Sequence, residues 1–293
     1  MEVKRVLTIA GSDSGGGAGI QADLKTITAL GGFGMSVVTA LTAQNTVGVQ
    51  AVYEIPVDFI EAQFDSVAGD IGVDAAKTGM LSSSEIIRCV AKKIRRYRIR
   101  KLVVDPVMMA KGGSPLLREE ARGTLIRELI PLAAVVTPNI PEAEVLTGRR
   151  IAKRDDMMKA AAAIYKLGAK NVVVKGGHLE GDAVDMLFDG KRFHEFATKR
   201  IVTKHTHGTG CTFASAVATG LAQGLGVLES VKRAKDYVTE AIRFGLAIGG
   251  GQGPTNHFAP VFRDGERWRC IEELKRAVTR LKGARTGNII PEI

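Results

Sequence analysis

Short apolar runs alternating with helix-period segments predict an α/β chain. Its expected frame is a mainly parallel central sheet, covered on both faces by helices, with a small β-hairpin added late. Three observations carry this. Apolar runs such as Val3–Ala10, Ala133–Thr137 and Asn171–Lys175 read as buried strands, and helical spacing follows them. Glycine-rich or polar turns fall where these strands stop. A single Asp189-Gly190 pair between two short runs marks a hairpin.

The totals narrow the class. At 293 residues the chain forms one large α/β domain or two small ones, with a sizeable core. The three cysteines, Cys89, Cys211 and Cys270, are far apart and contain no CxxC, which fits reduced cytosolic thiols. Val6–Ala10 is too short for a signal sequence, and no run approaches the ~18 apolar residues of a membrane span. The expectation is a cytoplasmic protein with no membrane partner. The net charge of +10 raises a nucleic-acid module built on the basic helix 84–101, densest at Lys92–Lys101. Ile86, Ile87, Val90, Ala91 and Ile94 recur at helical spacing there, so the charges read as the solvated face of a helix. Nucleic acid is not expected as a partner, and the charge serves to attract anionic substrates.

In chain order, Val3–Ala10 is a buried strand broken by the loop Gly11–Gly19, and a helix with Ile20, Leu24, Ile27 and Leu30 on one face follows. No GxxxxGK[ST] occurs and no GxGxxG follows a strand, which disfavours P-loop and dinucleotide folds. Ser36–Leu41 reads as the second strand, leading into the polar segment Thr42–Gln50, a possible pocket wall. Residues 73–78 form a short strand ending at Thr78-Gly79-Met80, and helical spacing runs from Ser84 to Tyr97. Asp105 then stands at the carboxyl end of a buried strand, where ligands of open parallel sheets bind and where a carboxylate suits magnesium.

Glu119–Ile130 is expected as helix and Ala133–Thr137 as strand. Asn139 lies just past that strand end and Glu142 in the first turn of the next helix, an arrangement that an N-cap alone explains. A helix over Asp155–Leu167 feeds the strand that ends at Lys175, where a cation can meet phosphates. The hairpin 184–188 and 192–196, a strand Arg200–Thr203 and a helix Leu228–Ile248 complete the body.

Between these lies His205-Thr206-His207-Gly208-Thr209-Gly210-Cys211-Thr212, a glycine turn opening a helix. Free amides and the positive end of the macrodipole make it an anion site fit for phosphoryl transfer. The same field is expected to lower the Cys211 thiol pKa and enrich its thiolate. A glycine turn with a buried structural cysteine is the plainer alternative.

Seven motifs in one order resemble a single family. They are Ala10–Lys25, Ala40–Asn45, Lys77–Met80, Asp105–Met108, Thr137–Glu142, Val174–His178 and His205–Cys211. The chain resembles the hydroxymethylpyrimidine / phosphohydroxymethylpyrimidine kinases of thiamin biosynthesis, within the ribokinase-like superfamily, over about residues 3–262. The resemblance implies a three-layer αβα sandwich of ribokinase type, ATP and Mg²⁺ as cofactors, and two successive phosphorylations of 4-amino-5-hydroxymethyl-2-methylpyrimidine. It implies a pyrimidine pocket of Gln44, Asp23, Gly11 and Met80. ATP would be bound by Asn139, Glu142, Lys175, Thr206 and Thr209, with magnesium near Asp105 and Glu142. Gly208, Gly210 and Lys175 would stabilise the transferring phosphoryl, and Cys211 would stand as base where related sugar kinases carry an aspartate. A homodimer is implied as well. Pyridoxal or pyridoxine kinase is the nearest alternative activity.

From about Phe262 the character changes. Ile271, Leu274, Val278 and Leu281 form one apolar stripe among Lys and Arg. Residues 263–293 therefore read as a helical extension of the 1–262 kinase domain, resembling a linker to a further domain.

Overall fold

Alternate residues of the central strands face opposite layers, and the pattern is visible in β1 (Arg5–Ala10). There Leu7 and Ile9 enter one core while Val6 enters the other. The computed structural model describes residues 2–109, 113 and 116–283. The remaining strands are β2 (Phe33–Val38), β3 (Ala40–Gln44), β4 (Val49–Glu54), β5 (Ala75–Thr78), β6 (Leu102–Val104), β7 (Val135–Val136), β8 (Val172–Lys175), β9 (Ala183–Phe188) and β10 (Phe193–Thr198). Eight of them form one sheet in the order β10-β9-β8-β7-β6-β5-β1-β2, and β3 and β4 form a separate antiparallel pair. Pairing is parallel from β2 through β8 and antiparallel at β8–β9 and β9–β10.

The helices are α1 (Gly19–Ala29), α2 (Val57–Asp70), α3 (Ser84–Arg96), α4 (Ala121–Thr124), α5 (Ile140–Thr147), α6 (Arg154–Tyr165), α7 (Thr209–Ala222), α8 (Val227–Arg243) and α9 (Ala259–Gly283). One core, with Ile60 and Phe64 of α2, Ile87 and Ile94 of α3 and Ile164 of α6, covers one face of the sheet. The other, with Ile27 of α1, Phe213 and Val217 of α7 and Val231 of α8, covers the opposite face. The chain reverses its direction across the sheet between β1 and β5, so the crevice at their carboxyl ends is the natural ligand site.

This is the predicted three-layer arrangement, with differences in detail. The segment 42–50 is partly regular: β3 pairs with β4 through Thr42↔Val52, with a register shift at Ala43/Gln44. The single strand expected over 36–41 is divided between β2 and β3. Helix α2 was not anticipated, although Ile60, Phe64 and Val67 carry its spacing. The helix expected over 119–130 is three short pieces: α4, a wide π turn over Leu125–Leu129, and a 3-10 turn over Ile130–Leu132 where Pro131 removes an amide. Arg200–Thr203 is no strand, and α8 ends at Arg243 rather than Ile248. The final helix begins at Ala259 and crosses the expected boundary at 262; residues 284–293 of the predicted extension lie outside the described residues.

Basic residues on α3 are not all solvated either. Lys93 is buried and bonds Asp65 (2.8 and 2.9 Å) and Glu61 (3.2 Å) of α2, so a charge that looked free for an anionic partner is spent on packing two helices.

Beneath the crevice, Asp23 of α1 and Lys77 of β5 form an ion pair with neither side chain exposed (2.9 Å). Thr8 Oγ1 of β1 donates to Asp23 Oδ2 (2.6 Å), and Ser215 Oγ of α7 donates to Oδ1 (2.7 Å). Burial opposes the Lys77 charge, but the Asp23 carboxylate outweighs it and holds the ammonium's pKa above its ordinary value. Removing one partner strands the other charge in the core. Lys77→Met should therefore cost about 3–5 kcal/mol of stability, and Lys77→Met with Asp23→Leu should recover much of that loss. Urea unfolding of both variants checks this; a mild single variant would contradict the pairing.

Candidate active site

Strand ends and the starts of α5 and α7 meet at the crevice. The β1–α1 loop is wound around Asp13, which is buried. Its Oδ1 accepts from the Gly15 amide (2.9 Å), and its Oδ2 from Gly17 (3.1 Å) and Ala18 (2.7 Å). His207 Nε2 donates to the same Oδ2 (2.8 Å) and joins this loop to the turn before α7. Burial pushes the Asp13 carboxyl up, but His207 and the amides outweigh it and hold it below the usual carboxylate range. Gly208 adopts φ 81°, and a Cβ there would run into Gly17 O, so the close approach of the two loops requires glycine.

That proton on His207 decides how Gln44 is oriented. Gln44 lies 3.4 Å from His207 Nε2 and 3.4 Å from Thr42 Oγ1, which itself donates to Ser12 O (2.9 Å). An N–H facing an N–H is unfavourable. The consistent network therefore turns the amide so that its oxygen accepts from His207 and its nitrogen donates to Thr42. Ser14 Oγ fixes the Gln44 backbone through 2.7 and 2.8 Å bonds. Gly11 and Met80 adjoin: a Cβ on Gly11 would sit 3.0 Å from Met80 Sδ.

Across the crevice, Lys175 at the end of β8 donates to Asp105 Oδ1 (2.8 Å), as Thr137 Oγ1 does (3.1 Å). Burial opposes the Lys175 charge, but Asp105, then Glu142, keep its pKa above the ordinary value. Gly210 in the first turn of α7 faces this pair, since a Cβ there would lie 3.2 Å from Lys175 Nζ and 3.6 Å from Asp105 Oδ2. Thr209 Oγ1 donates to Thr206 O (2.6 Å) and closes the turn. Asn139 and Glu142 form a reciprocal capping box on α5: Asn139 Oδ1 accepts the Glu142 amide (2.9 Å) and Glu142 Oε2 the Asn139 amide (2.8 Å). Burial, with Asp105 adding to it against the pull of Lys175, pushes the Glu142 carboxyl up to about 7.

Two expectations change. Asp23 does not wall the pyrimidine pocket; its oxygens are spent in the core on Lys77, Thr8 and Ser215. The Cys211 thiol is not depressed. Burial, helped by the Asp23 and Asp105 charges, outweighs Lys77 and the Gly19 amide and pushes it up to about 11. The helix field acts on a group already removed from water, and desolvation wins.

The other expected residues, Gln44, Gly11 and Met80 on one side and Asp105, Asn139, Glu142, Lys175, Thr206, Gly208, Thr209, Gly210 and Cys211 on the other, border this crevice. Sequence reasoning missed Asp13, whose signal is an acidic residue at the start of a glycine loop, and Arg200. The Arg200 guanidinium donates to Gly177 O and Gly181 O (both 2.8 Å) and to Leu179 O, clipping the segment after Lys175. It also missed the buried His257.

A family model described as phosphomethylpyrimidine kinase matches residues 13–256. The chain belongs to that family. It is 58% identical over 253 residues to the thiamine biosynthesis bifunctional protein ThiED of Geobacter sulfurreducens, covering 86% of this chain and 52% of that protein. The chain thus spans about half the length of that relative. To the hydroxymethylpyrimidine/phosphomethylpyrimidine kinase of Bacillus subtilis it is 51% identical, covering 88% of this chain and 96% of the other. Among solved structures, the ADP complex of Bacillus subtilis pyridoxal kinase superposes with a TM-score of 0.83 at 43% identity, covering 88% of this chain and 98% of that one. The ribokinase-like fold implied by the motifs is the fold observed.

His257 yields a pH test. Thr212 Oγ1 donates to Gly208 O (2.9 Å), so it accepts from His257 Nε2–H at 3.0 Å. Burial, then the charges of Lys25 and His207, pushes the imidazole down to about 4 from 6.5. The folded state therefore binds fewer protons than the unfolded state between those values, and stability falls as pH drops from 6.5 toward 4. The loss amounts to roughly 3 kcal/mol at most. His257→Gln should flatten this part of the stability–pH curve, read by urea unfolding at stepped pH. Parallel curves would refute the assignment.

Proposed function

We propose that this chain transfers the γ-phosphoryl group of ATP to the hydroxymethyl group of 4-amino-5-hydroxymethyl-2-methylpyrimidine, and then to the resulting monophosphate. The observation that carries it is the meeting of Asp105, Lys175, Gly210 and Cys211 at the start of α7, opposite the Gln44–His207 wall. The names of the curated relatives agree with it. Lys175 keeps its charge at neutral pH and, with the α7 amides, stabilises the charge that develops on the transferring phosphoryl. Asn139, Thr206 and Thr209 border the nucleotide side. Gln44 presents an oriented donor and acceptor to an aminopyrimidine edge.

Asp105 spends Oδ1 on protein partners, and its charge helps to push Glu142 up, so the two carboxylates favour a cation between them. Among the described residues no cluster of three or more His, Cys, Asp or Glu forms a metal site. One or two carboxylates with phosphate oxygens are what Mg²⁺ takes. Mg²⁺ held there with ATP would neutralise phosphate charge. The three free cysteines fit a reducing cytoplasm. Exposed Leu41, Val52 and Tyr53 on the β3–β4 pair support a homodimer, which sedimentation checks.

Cys211 is the proposed base for the alcohol step alone, because the monophosphate oxygen is already anionic. With a thiol at about 11, that step should climb about tenfold per pH unit above neutrality. Cys211→Ala should lower it by ~10²–10⁴ and abolish the slope, sparing the second step. Lys175→Ala should damage both steps comparably. Following each product separately against pH tests this; equal slowing of both steps by Cys211→Ala removes the base role.

Gln44→Ala leaves polar groups of the bound pyrimidine unpaired, at ~1–3 kcal/mol each. KM for the pyrimidine should rise about tenfold or more while KM for ATP stays put. Equal loss for both, or pyridoxine preferred by the unmodified chain, would favour a pyridoxal kinase instead.

A further inference from the structure

At the opposite end of the sheet from the crevice lies a cavity of about 410 Å³. It is lined by Ile94, Ile99, Pro131 and Leu132 on its apolar side and by Arg95, Arg98, Arg100 and Lys170 on its charged side. Arg100, Pro131–Leu132 and Lys170 stand just before β6, β7 and β8, so the fold itself gathers these groups at the amino ends of three neighbouring strands.

Two features set this place apart from an ordinary basic surface. Arg95 is occupied, donating to Glu128 O (3.2 Å) and Oε2 (3.0 Å). By contrast, the side chains of Arg98, Arg100 and Lys170 make no hydrogen bond or ion pair with the described residues. Arg98 is also the one described residue other than glycine with a positive φ, 53°. It ends α3: Arg98 N donates to Arg95 O (3.2 Å) and Ile99 N to Ile94 O (3.1 Å). Glycine fills such a helix-ending position without steric cost; here an arginine takes it, and buried Ile99 packs beneath the turn that it makes. The turn sets Arg98 beside Arg100 among the residues that line the cavity.

We propose that this cavity binds a small phosphorylated molecule: a phosphate or diphosphate held by Arg98, Arg100 and Lys170, with a flat apolar body against Ile94, Ile99, Pro131 and Leu132. Arginine forks match phosphate oxygens, and the depression is open on its outer side to a ligand that carries them. None of the three cations belongs to the phosphoryl-transfer machinery, so the site is a second one on the molecule.

The test uses the full chain with its nucleotide site filled by a non-hydrolysable ATP analogue. Calorimetric titration with inorganic pyrophosphate should give one further equivalent on the wild type. Arg98→Gly should weaken it about tenfold, and the triple change Arg98→Gly, Arg100→Ala, Lys170→Ala should weaken it further. Arg98→Gly relieves the positive φ, so its melting temperature should not fall, and lost binding cannot then be lost folding. Phosphorylation rates should be unchanged in every variant. Phenyl phosphate should bind more tightly than inorganic phosphate, and equal affinity for the two would overturn the apolar half of the site. The proposal is overturned by equal pyrophosphate affinity across the variants, by no binding to the wild type, or by a short single-stranded oligonucleotide that saturates the patch where pyrophosphate does not.

Discussion

The buried contact between Lys77 and Asp23 holds together four elements that the site needs in register. Asp23 comes from α1 and Lys77 from β5, while Thr8 of β1 and Ser215 of α7 complete the carboxylate's bonds. An ion pair without exposure repays its desolvation only when every lone pair is met, and here both oxygens are. The consequence is geometric. The glycine loop leads into α1, Met80 follows β5, and the glycine turn at Gly208 opens α7. Their relative positions are tied together by this one polar knot.

Above that knot, two opposing effects set the chemistry. The start of α7 supplies amides and a positive field, while burial removes charge from whatever lacks a partner. Lys175 has Asp105 and stays charged; Cys211 has weaker help from Lys77 and stays a thiol. Glu142 stands between these cases, its capping bond to Asn139 insufficient to offset burial beside Asp105. One crevice thus contains a fixed cation, a thiol that keeps its proton and a carboxyl that titrates near neutrality.

What the amino-acid order made legible follows from locality. Strand ends announced themselves through polar residues after apolar runs, so Asp105, Asn139 and Lys175 were found. The turn at Gly208–Gly210 was visible because glycine there has a conformational reason. Asp23 was misplaced because its partner is 54 residues away and nothing nearby in the chain shows the ion pair. The pairing of Asp13 with His207, 194 residues apart, was missed for the same reason. The β3–β4 pair hid behind its solvent-facing side chains, and the field at α7 was legible while the burial that overrides it at Cys211 was not.

The separation of Asp13 and His207 also bears on how the molecule is made. Contacts this distant in sequence form only after a large loop has closed, and they come late. During synthesis the β1–α1 loop leaves the ribosome before His207 and Pro254 do, and it waits for them before it has walls to rest against. A nascent chain therefore lacks a finished crevice until almost the whole body has emerged. Ligands that bind the crevice can stabilise only the completed protein, never its precursors.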